Sequence, residues 1–387
     1  MTRPAKSLLS LAILALMSGT ASADVIKVGV IGTMSGPYAL FGANYKMGID
    51  AYVAEHGNKV GNHTVEFIYK DEEGPNPAKS KALAQELIVK DKVQYLAGIY
   101  FTPNAMAVAP LLEESKTPLI VLNAATSAIV EKSPYIVRTS FTMWQNTVPA
   151  ANIAWKSGSK KVAIAVSDYG PGIDAEKFFK SQFLLNGGKV IGEIRSPLRS
   201  PDFAPFLQKV ADLKPDAVFC FLPSGQGAAF MKQFGERGLD KSGIKLIATG
   251  DVVDDDQLND IGDVALGVVN SHHYSAAHPS AMNKKFVAAF EAANKFRPNF
   301  MAVAGYDGMR VIYTALATTK GKAGGDALLE AMKGQIFESP RGQMMIDAQT
   351  RDVVQDIYIR KVERVNGQLY NQEFDVQKSV KDPGKLK

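Results

Sequence analysis

The chain has 387 residues, 46% hydrophobic and 21% charged, which predicts about two globular domains and excludes a disordered or fibrous polymer. Forty-four Lys and Arg stand against 39 Asp and Glu; without Arg3 and Lys6 the balance is 42 against 39, or +3, too close to neutral for a nucleic-acid surface. Cys220 is the only cysteine, which excludes an internal disulfide and leaves stability to the core.

Residues 1–23 read as a secretory signal peptide. Arg3 and Lys6 precede the apolar run Leu8 to Met17, and Ala21-Ser22-Ala23 is a small-residue cleavage site, so Asp24 is the expected mature N-terminus. The run is too short for a membrane anchor. Val25 to Ile31 is a buried strand, followed by the loop Gly32 to Pro37. Phe41-Gly42 leads into a helix with Met47, Ala51 and Ala54 inward, ended by Gly57. Thr64 to Asp71 is a strand, Glu72 to Asn76 a loop, and Pro77 opens a helix with Leu83 and Leu87 inward.

Tyr95 to Ala97 is the next strand. Thr102 stands at a helix N-cap position with Pro103 at the first helical place, where its missing N–H costs nothing. That helix is expected to turn Met106, Val108 and Leu111 inward and to stop near Ser115. Pro118 opens the strand Leu119 to Leu122, which ends in Asn123-Ala124-Ala125-Thr126. Two strand ends thus bring short polar groups to one sheet edge, where open α/β sheets bind ligands. Free N–H groups at the start of the Pro103 helix favour an anion there.

After Tyr135 to Thr139 the alternation restarts. A helix over Phe141 to Trp155, the strand Lys161 to Val166, the loop Ser167 to Gly170 and a helix over Ala175 to Leu185 come next. Lys189 to Ile194 and the apolar Ala217 to Leu222, which holds Cys220 as a structural thiol, are strands flanking a helix that ends at Leu213. Pro223-Ser224-Gly225 opens a helix with Phe230 and Phe234 one turn apart, and Leu246-Ile247 ends at Gly250-Asp251. Leu266 to Tyr274 is strand-like. Helices at about Ala281 to Lys295, Phe300 to Thr318 and Asp326 to Met332 precede strands Gln343 to Ile346 and Gln355 to Val362, and Asn366-Gly367 signals a hairpin. The tail after Gln377 is polar and expected to be mobile. Such alternation predicts parallel sheets covered on both faces, in two similar lobes.

Motifs for covalent or cofactor chemistry are absent. There is no G-x-x-x-x-G-K-[ST] loop and no G-x-G-x-x-G after the first strand, and the serine of Gly32 to Gly36 is one place late for a nucleophile elbow. His272, His273 and His278 invite a metal reading, but adjacent strand positions point to opposite faces. A connection between lobes explains them better. Asp254-Asp255-Asp256 lacks calcium-loop spacing and reads as acids at a helix start. No cofactor, metal or catalytic constellation is expected.

Ile26-Lys27-Val28-Gly29-Val30, Met34-Ser35-Gly36-Pro37 and Phe41-Gly42 resemble the opening of the periplasmic branched-chain amino-acid binding proteins. The likeness continues through Asp71, Gly98, Asn123 to Thr126, Arg138-Thr139, Asp168-Tyr169-Gly170, Asp202-Phe203 and Gly250-Asp251. It implies an α/β, two-lobed type I solute-binding fold, each lobe a doubly wound, mostly parallel sheet with helices on both faces. Three hinge crossovers fall near Thr139–Phe141, His272–Tyr274 and Asp347–Gln349. Lobe one would comprise 24–140 and 273–347, lobe two 141–272 and 348–387. The partners implied are an inner-membrane ABC permease with its ATPase, and the protein would be a periplasmic monomer.

Position by position, the resemblance puts the hydroxyl for a ligand carboxylate on Thr102, with Ala124 (backbone) and Thr126 (hydroxyl and backbone) beside it. The acid that receives a ligand ammonium falls on Asp251, and aromatic walls on Phe41 and Tyr169. Phe101 replaces one cysteine of the prototype's disulfide, Pro223-Ser224 replaces an expected tyrosine, and Tyr100 with Phe101 makes the wall bulkier. The implied ligand is an amino acid, branched-chain or otherwise apolar or aromatic. The alternatives are a small or aromatic carboxylate, or an amide, lacking an amine, a periplasmic sensor, or an enzyme on the same scaffold.

Overall fold

The computed structural model describes residues 24–199, 202–321 and 324–383; the leader expected over 1–23 lies outside them. The first sheet is built by β1 (Val25–Gly32), β2 (Lys59–Val60), β3 (His63–Asp71), β4 (Tyr95–Gly98), β5 (Leu119–Val121) and β6 (Ile136–Arg138), in the order β2-β3-β1-β4-β5-β6. Only the short β2 is antiparallel; β1 lies between β3 and β4 with Val28 opposite both Phe67 and Tyr95. The crossovers are α1 (Ala39–His56), α2 (Pro77–Val89) and α3 (Thr102–Ser115). Their ends follow local chemistry. Asn76 caps α2 by accepting from Lys79 N, and Gly57 ends α1 at φ 77°.

The second half adds α4 (Met143–Lys156), β7 (Lys161–Ser167), α5 (Gly170–Leu185), β8 (Lys189–Ser196), α6 (Ala204–Leu213), β9 (Ala217–Phe221), α7 (Gly227–Glu236), β10 (Lys245–Thr249), α8 (Leu258–Ile261) and β11 (Val269–His272). A reciprocal Thr142–Gln145 capping box starts α4. The chain then forms α9 (Ala281–Asn294), α10 (Phe300–Thr319), α11 (Gly325–Met332), β12 (Ile336–Ser339), β13 (Gly342–Ile346), β14 (Val353–Val365) and β15 (Gln368–Val380). The second sheet runs β12-β13-β14-β11-β10-β9-β7-β8, with β15 on β14. Strands β7 to β11 are parallel to their neighbours in that group, and β12 to β15 pair antiparallel.

Several expectations shift. The segment 273–347 divides: α9 and α10 pack on α1 of the first lobe, while β12 and β13 hydrogen-bond toward β14 in the second sheet. The turn between β13 and β14 reaches back to the first sheet, where Arg138 N donates to Arg351 O at 3.0 Å. The expected mobile tail is strand through Val380, whose carbonyl accepts from Gln145 Nε2 at 2.8 Å. The buried stripe of α3 is Ala105, Val108, Ala109 and Leu112; of the expected inward residues Val108 is buried, while Met106 and Leu111 are half-buried because they lie to either side of that stripe. Cys220 is buried in β9, and burial pushes its thiol pKa up.

Where the chain crosses between lobes, charge is buried and paired. Arg341 donates to Asp307 Oδ2 (2.8 Å), Gln355 Oε1 (3.0 Å) and Ser140 O (3.1 Å). Arg138 forms an ion pair with Asp352 (2.8 Å) and donates to the carbonyls of Phe141, Thr126 and Ser127. A guanidinium can enter a core only when most of its N–H groups find acceptors, as these do.

Candidate functional site

The carboxyl ends of β1, β4 and β5 face those of β7, β9 and β10 across a cleft. After β4 the backbone is strained: Ile99, a β-branched residue, sits at φ 59°. This kink delivers Tyr100, Phe101 and Thr102 in succession. The helix cap is Phe101, in extended conformation, not Thr102, and no side chain caps α3. The Thr102 hydroxyl instead points across the loop, 3.5 Å from Thr126 N. Ala124 turns its N–H to Ile99 O (3.4 Å) and its carbonyl to Arg138 (3.4 Å). Thr126 Oγ1 is buried with no partner among the described residues.

From the opposite lobe, α5 begins at Gly170 against these same groups. A Cβ on Gly170 would lie 2.8 Å from Thr126 Oγ1 and 3.3 Å from Thr102 Cγ2. Two helix N-termini, from α3 and α5, therefore converge on Thr102 and Thr126. Their aligned dipoles and hydroxyls make this end of the cleft favourable for an anion.

Aromatic rings form the walls. Phe41 stacks on Tyr100 (5.2 Å, 21°), and Phe101 meets Tyr100 (4.4 Å) and Tyr38 (5.1 Å) edge-on. Tyr169 stacks on Phe221 in the second lobe at 6.1 Å. Burial raises the Tyr169 and Tyr100 hydroxyl pKa values; the charge of Asp251 adds to both, after that of Tyr169 for Tyr100. Asp251 thus lies near both rings.

The lobes touch. Tyr100 Oη donates to Ser224 O (3.2 Å), Tyr38 Oη donates to Leu198 O (3.0 Å) and Gln226 Nε2 donates to Tyr38 Oη (2.7 Å). Asn44 of α1 donates to Asp256 (3.4 Å), and Asn299, at the start of α10, donates to Asp254 (3.3 Å) and Asp256 (3.0 Å). The Asp254 to Asp256 run is therefore no solvated helix start. Burial, then the neighbouring carboxylates, raises Asp254, and burial with the charge of Asp255 pushes Asp256 up to about 7.

A model of the periplasmic binding protein family matches residues 25–368. This chain is a periplasmic binding protein. It is 50% identical over 382 residues to the Leu/Ile/Val-binding protein homolog 6 of Brucella abortus, covering 98% of each chain. A Rhodopseudomonas palustris BisB5 ABC-transporter solute-binding protein solved with 3,4-dihydroxybenzoic acid is 56% identical, with TM-score 0.92 over 93% of this chain and 99% of that one. Another from R. palustris, solved with 4-hydroxybenzoate, is 55% identical, with TM-score 0.91 over 94% and 100%. The fold is the two-lobed type I arrangement, and the protein is a solute-binding protein of an ABC transporter, from the branched-chain amino-acid type of the periplasmic binding protein family. Members of this family are solute-binding proteins rather than enzymes.

Of the sequence-derived residues, the binding protein gathers Phe41, Tyr100, Phe101, Thr102, Ala124, Thr126, Tyr169, Ser224 and Asp251 along this one cleft. Ser224 lends its carbonyl to Tyr100 but turns its hydroxyl to Asp254 Oδ2 (2.9 Å) and Asp251 O (3.3 Å). Sequence reasoning missed Tyr38, whose signal was an aromatic directly after the Pro37 turn. It also missed Glu72, a buried carboxylate accepting from Thr33 Oγ1, Ser80 Oγ, Asn104 Nδ2 and Tyr100 N at 2.8–3.2 Å, which fixes the Tyr100 loop. Burial raises its pKa against those four donors. Strand alternation predicts that His272 and His273 point apart. Their rings lie 4.3 Å from each other because the strand ends at His272.

Proposed function

We propose that this receptor works in the periplasm, exported by its N-terminal leader, and that it closes on an aromatic carboxylate lacking an amine and presents it, as a monomer, to an inner-membrane ABC permease with its ATPase. The observation that carries the ligand class is the pairing of an anion-favouring end, where the α3 and α5 N-termini meet at Thr102 and Thr126, with walls of stacked rings. A carboxylate would take hydrogen bonds from the Thr102 and Thr126 hydroxyls and the Thr126 N–H, with Ala124 beside them. A ring would pack on Phe41, Tyr100, Phe101 and Tyr169, with Ser224 and Asp251 on the far wall. Bound hydroxybenzoates in two relatives above 50% identity support this reading.

An apolar or aromatic amino acid is the second reading. It is favoured by Asp251 Oδ2, buried without a hydrogen-bond partner among the described residues and able to receive an ammonium. Titration calorimetry with 4-hydroxybenzoate, benzoate and leucine separates the two. The first reading expects the aromatic acids to bind and Thr102→Ala to weaken them by about 1–2 kcal/mol, the scale of a hydrogen bond to a charged group. Leucine binding that collapses in Asp251→Asn, with no response to either benzoate, would establish the second.

A further inference from the structure

Asp251, which lines the far wall of the cleft, forms a buried polar pair with His272, a residue given no role so far. Asp251 is 4% exposed and His272 1% exposed. Asp251 Oδ2 and both ring nitrogens of His272 have no hydrogen-bond partner among the described residues. Each such group costs stability unless something completes it. Asp251 Oδ2 and His272 Nε2 stand 3.7 Å apart, too far for a direct hydrogen bond.

A hydroxyl oxygen placed beside the pair can bridge it. An oxygen about 2.7 Å from a carboxylate and about 2.9 Å from an imidazole N–H closes a triangle on a 3.7 Å base. It donates its proton to the carboxylate and accepts from the ring. The surroundings hold both partners in place. His272 is packed between Phe300 (4.6 Å), Phe141 (5.6 Å) and His273 (4.3 Å), which fixes its ring plane. Gly250 is a glycine of necessity: a Cβ there would lie 2.6 Å from His272 Cγ and 2.1 Å from Arg360 Nη2. Burial and the Arg360 charge lower the His272 pKa against the pull of Asp251, so the ring is neutral and keeps one donor nitrogen. The charge of Asp251 also reaches Tyr100 and Tyr169, which line the cleft.

Resting on the aromatic-carboxylate reading, we propose that Asp251 and His272 together receive a ring hydroxyl, and that this pair makes the receptor select hydroxylated aromatic acids over unsubstituted ones. A site built to hydrogen-bond a hydroxyl rejects the analogue that lacks it, because its own buried groups stay unpaired. The carboxylate end is common to both ligands, so discrimination falls on this pair.

The test measures calorimetric affinities of benzoate, 4-hydroxybenzoate, 3,4-dihydroxybenzoate and 4-methoxybenzoate on the full receptor, His272→Phe and Asp251→Leu. Wild type is expected to bind 4-hydroxybenzoate at least about tenfold more tightly than benzoate, and 4-methoxybenzoate, which has no proton to donate, more weakly than 4-hydroxybenzoate by a similar factor. Both variants should bring 4-hydroxybenzoate and benzoate within about threefold of one another. The wild-type comparison stands even if a variant fails to fold. Equal wild-type affinity for benzoate, 4-hydroxybenzoate and 4-methoxybenzoate overturns the hydroxyl pair and leaves the aromatic-carboxylate reading intact, as does discrimination that survives in both variants. Binding of leucine and of no aromatic acid overturns both.

Discussion

Replacing Tyr100 by Phe removes a single oxygen at the contact between lobes. The ring keeps its stack on Phe41 at 5.2 Å and its edge contact with Phe101 at 4.4 Å, so the wall of the cleft is retained. What disappears is the buried hydrogen bond to Ser224 O at 3.2 Å. In an open receptor both groups face water and the substitution costs almost nothing. In the closed receptor Ser224 O loses its donor, a penalty of about 1–2 kcal/mol for a neutral buried bond. Because ligand binding is tied to closure, the whole penalty appears in affinity, and Kd should rise about 5- to 30-fold. The change should fall on the dissociation rate, since the latch forms after encounter. Calorimetry gives Kd, and stopped-flow displacement of bound ligand gives the rate. Tyr38→Phe, which cuts the separate bonds to Leu198 O and Gln226, should act in the same direction. The two rings are 6.0 Å apart, so the double variant is expected to be non-additive. Unchanged Kd and dissociation rate in both single variants would refute the latch.

Three further outcomes follow from the same geometry. Glu72→Gln turns an amide N–H₂ toward at least one of four donors, so thermal unfolding should show a loss of about 2–4 kcal/mol; an unaltered melt would mean Glu72 does not organise the Tyr100 loop. Gly225→Ala places a Cβ 2.7 Å from Phe41 Cε2 at a residue with φ 92°, so ligand affinity should drop by about 1–2 kcal/mol while circular dichroism stays native; full affinity would show that the lobes tolerate the added bulk. Asp256, facing Asp254, Asp255, Asn44 and Asn299 and raised by burial to about 7, holds its proton in the folded state over a pH range where the unfolded chain has released it. The stability that Asp256 contributes is thus full below the ordinary carboxylate range and is lost as pH rises through about 7, with a slope of up to about 1.4 kcal/mol per pH unit for one proton. Melting temperatures should fall between pH 5 and pH 8, and Asp256→Asn should flatten that slope; a rising or level profile in the wild type would contradict it.

Legibility in the sequence followed the range of the interactions. The β1, β3, β4 and β5 strands, the Pro77 helix start and, to within one residue, the Pro103 one, the Gly57 stop and the Asn366-Gly367 hairpin were readable because a few adjacent residues set each one. Thr102, Thr126 and Asp251 came from the same logic joined to a family likeness, since strand ends in a parallel sheet share one edge. The missed groups have partners far away in the chain. Tyr38 is completed by Leu198 and Gln226, and Glu72 by Asn104 and Tyr100.

The sequence by itself determined the alternation of strands and helices, the two lobes and the edge at which polar loops gather, because periodicity and capping are local. Only the tertiary structure decided that β12 and β13 join the second sheet, that Thr102 leaves its cap to reach Thr126, and that three consecutive aspartates are enclosed between lobes. It alone brought His272 beside Asp251. Those outcomes depend on which surfaces exclude water from one another, and a residue's burial is a property of neighbours that its own stretch of chain does not contain.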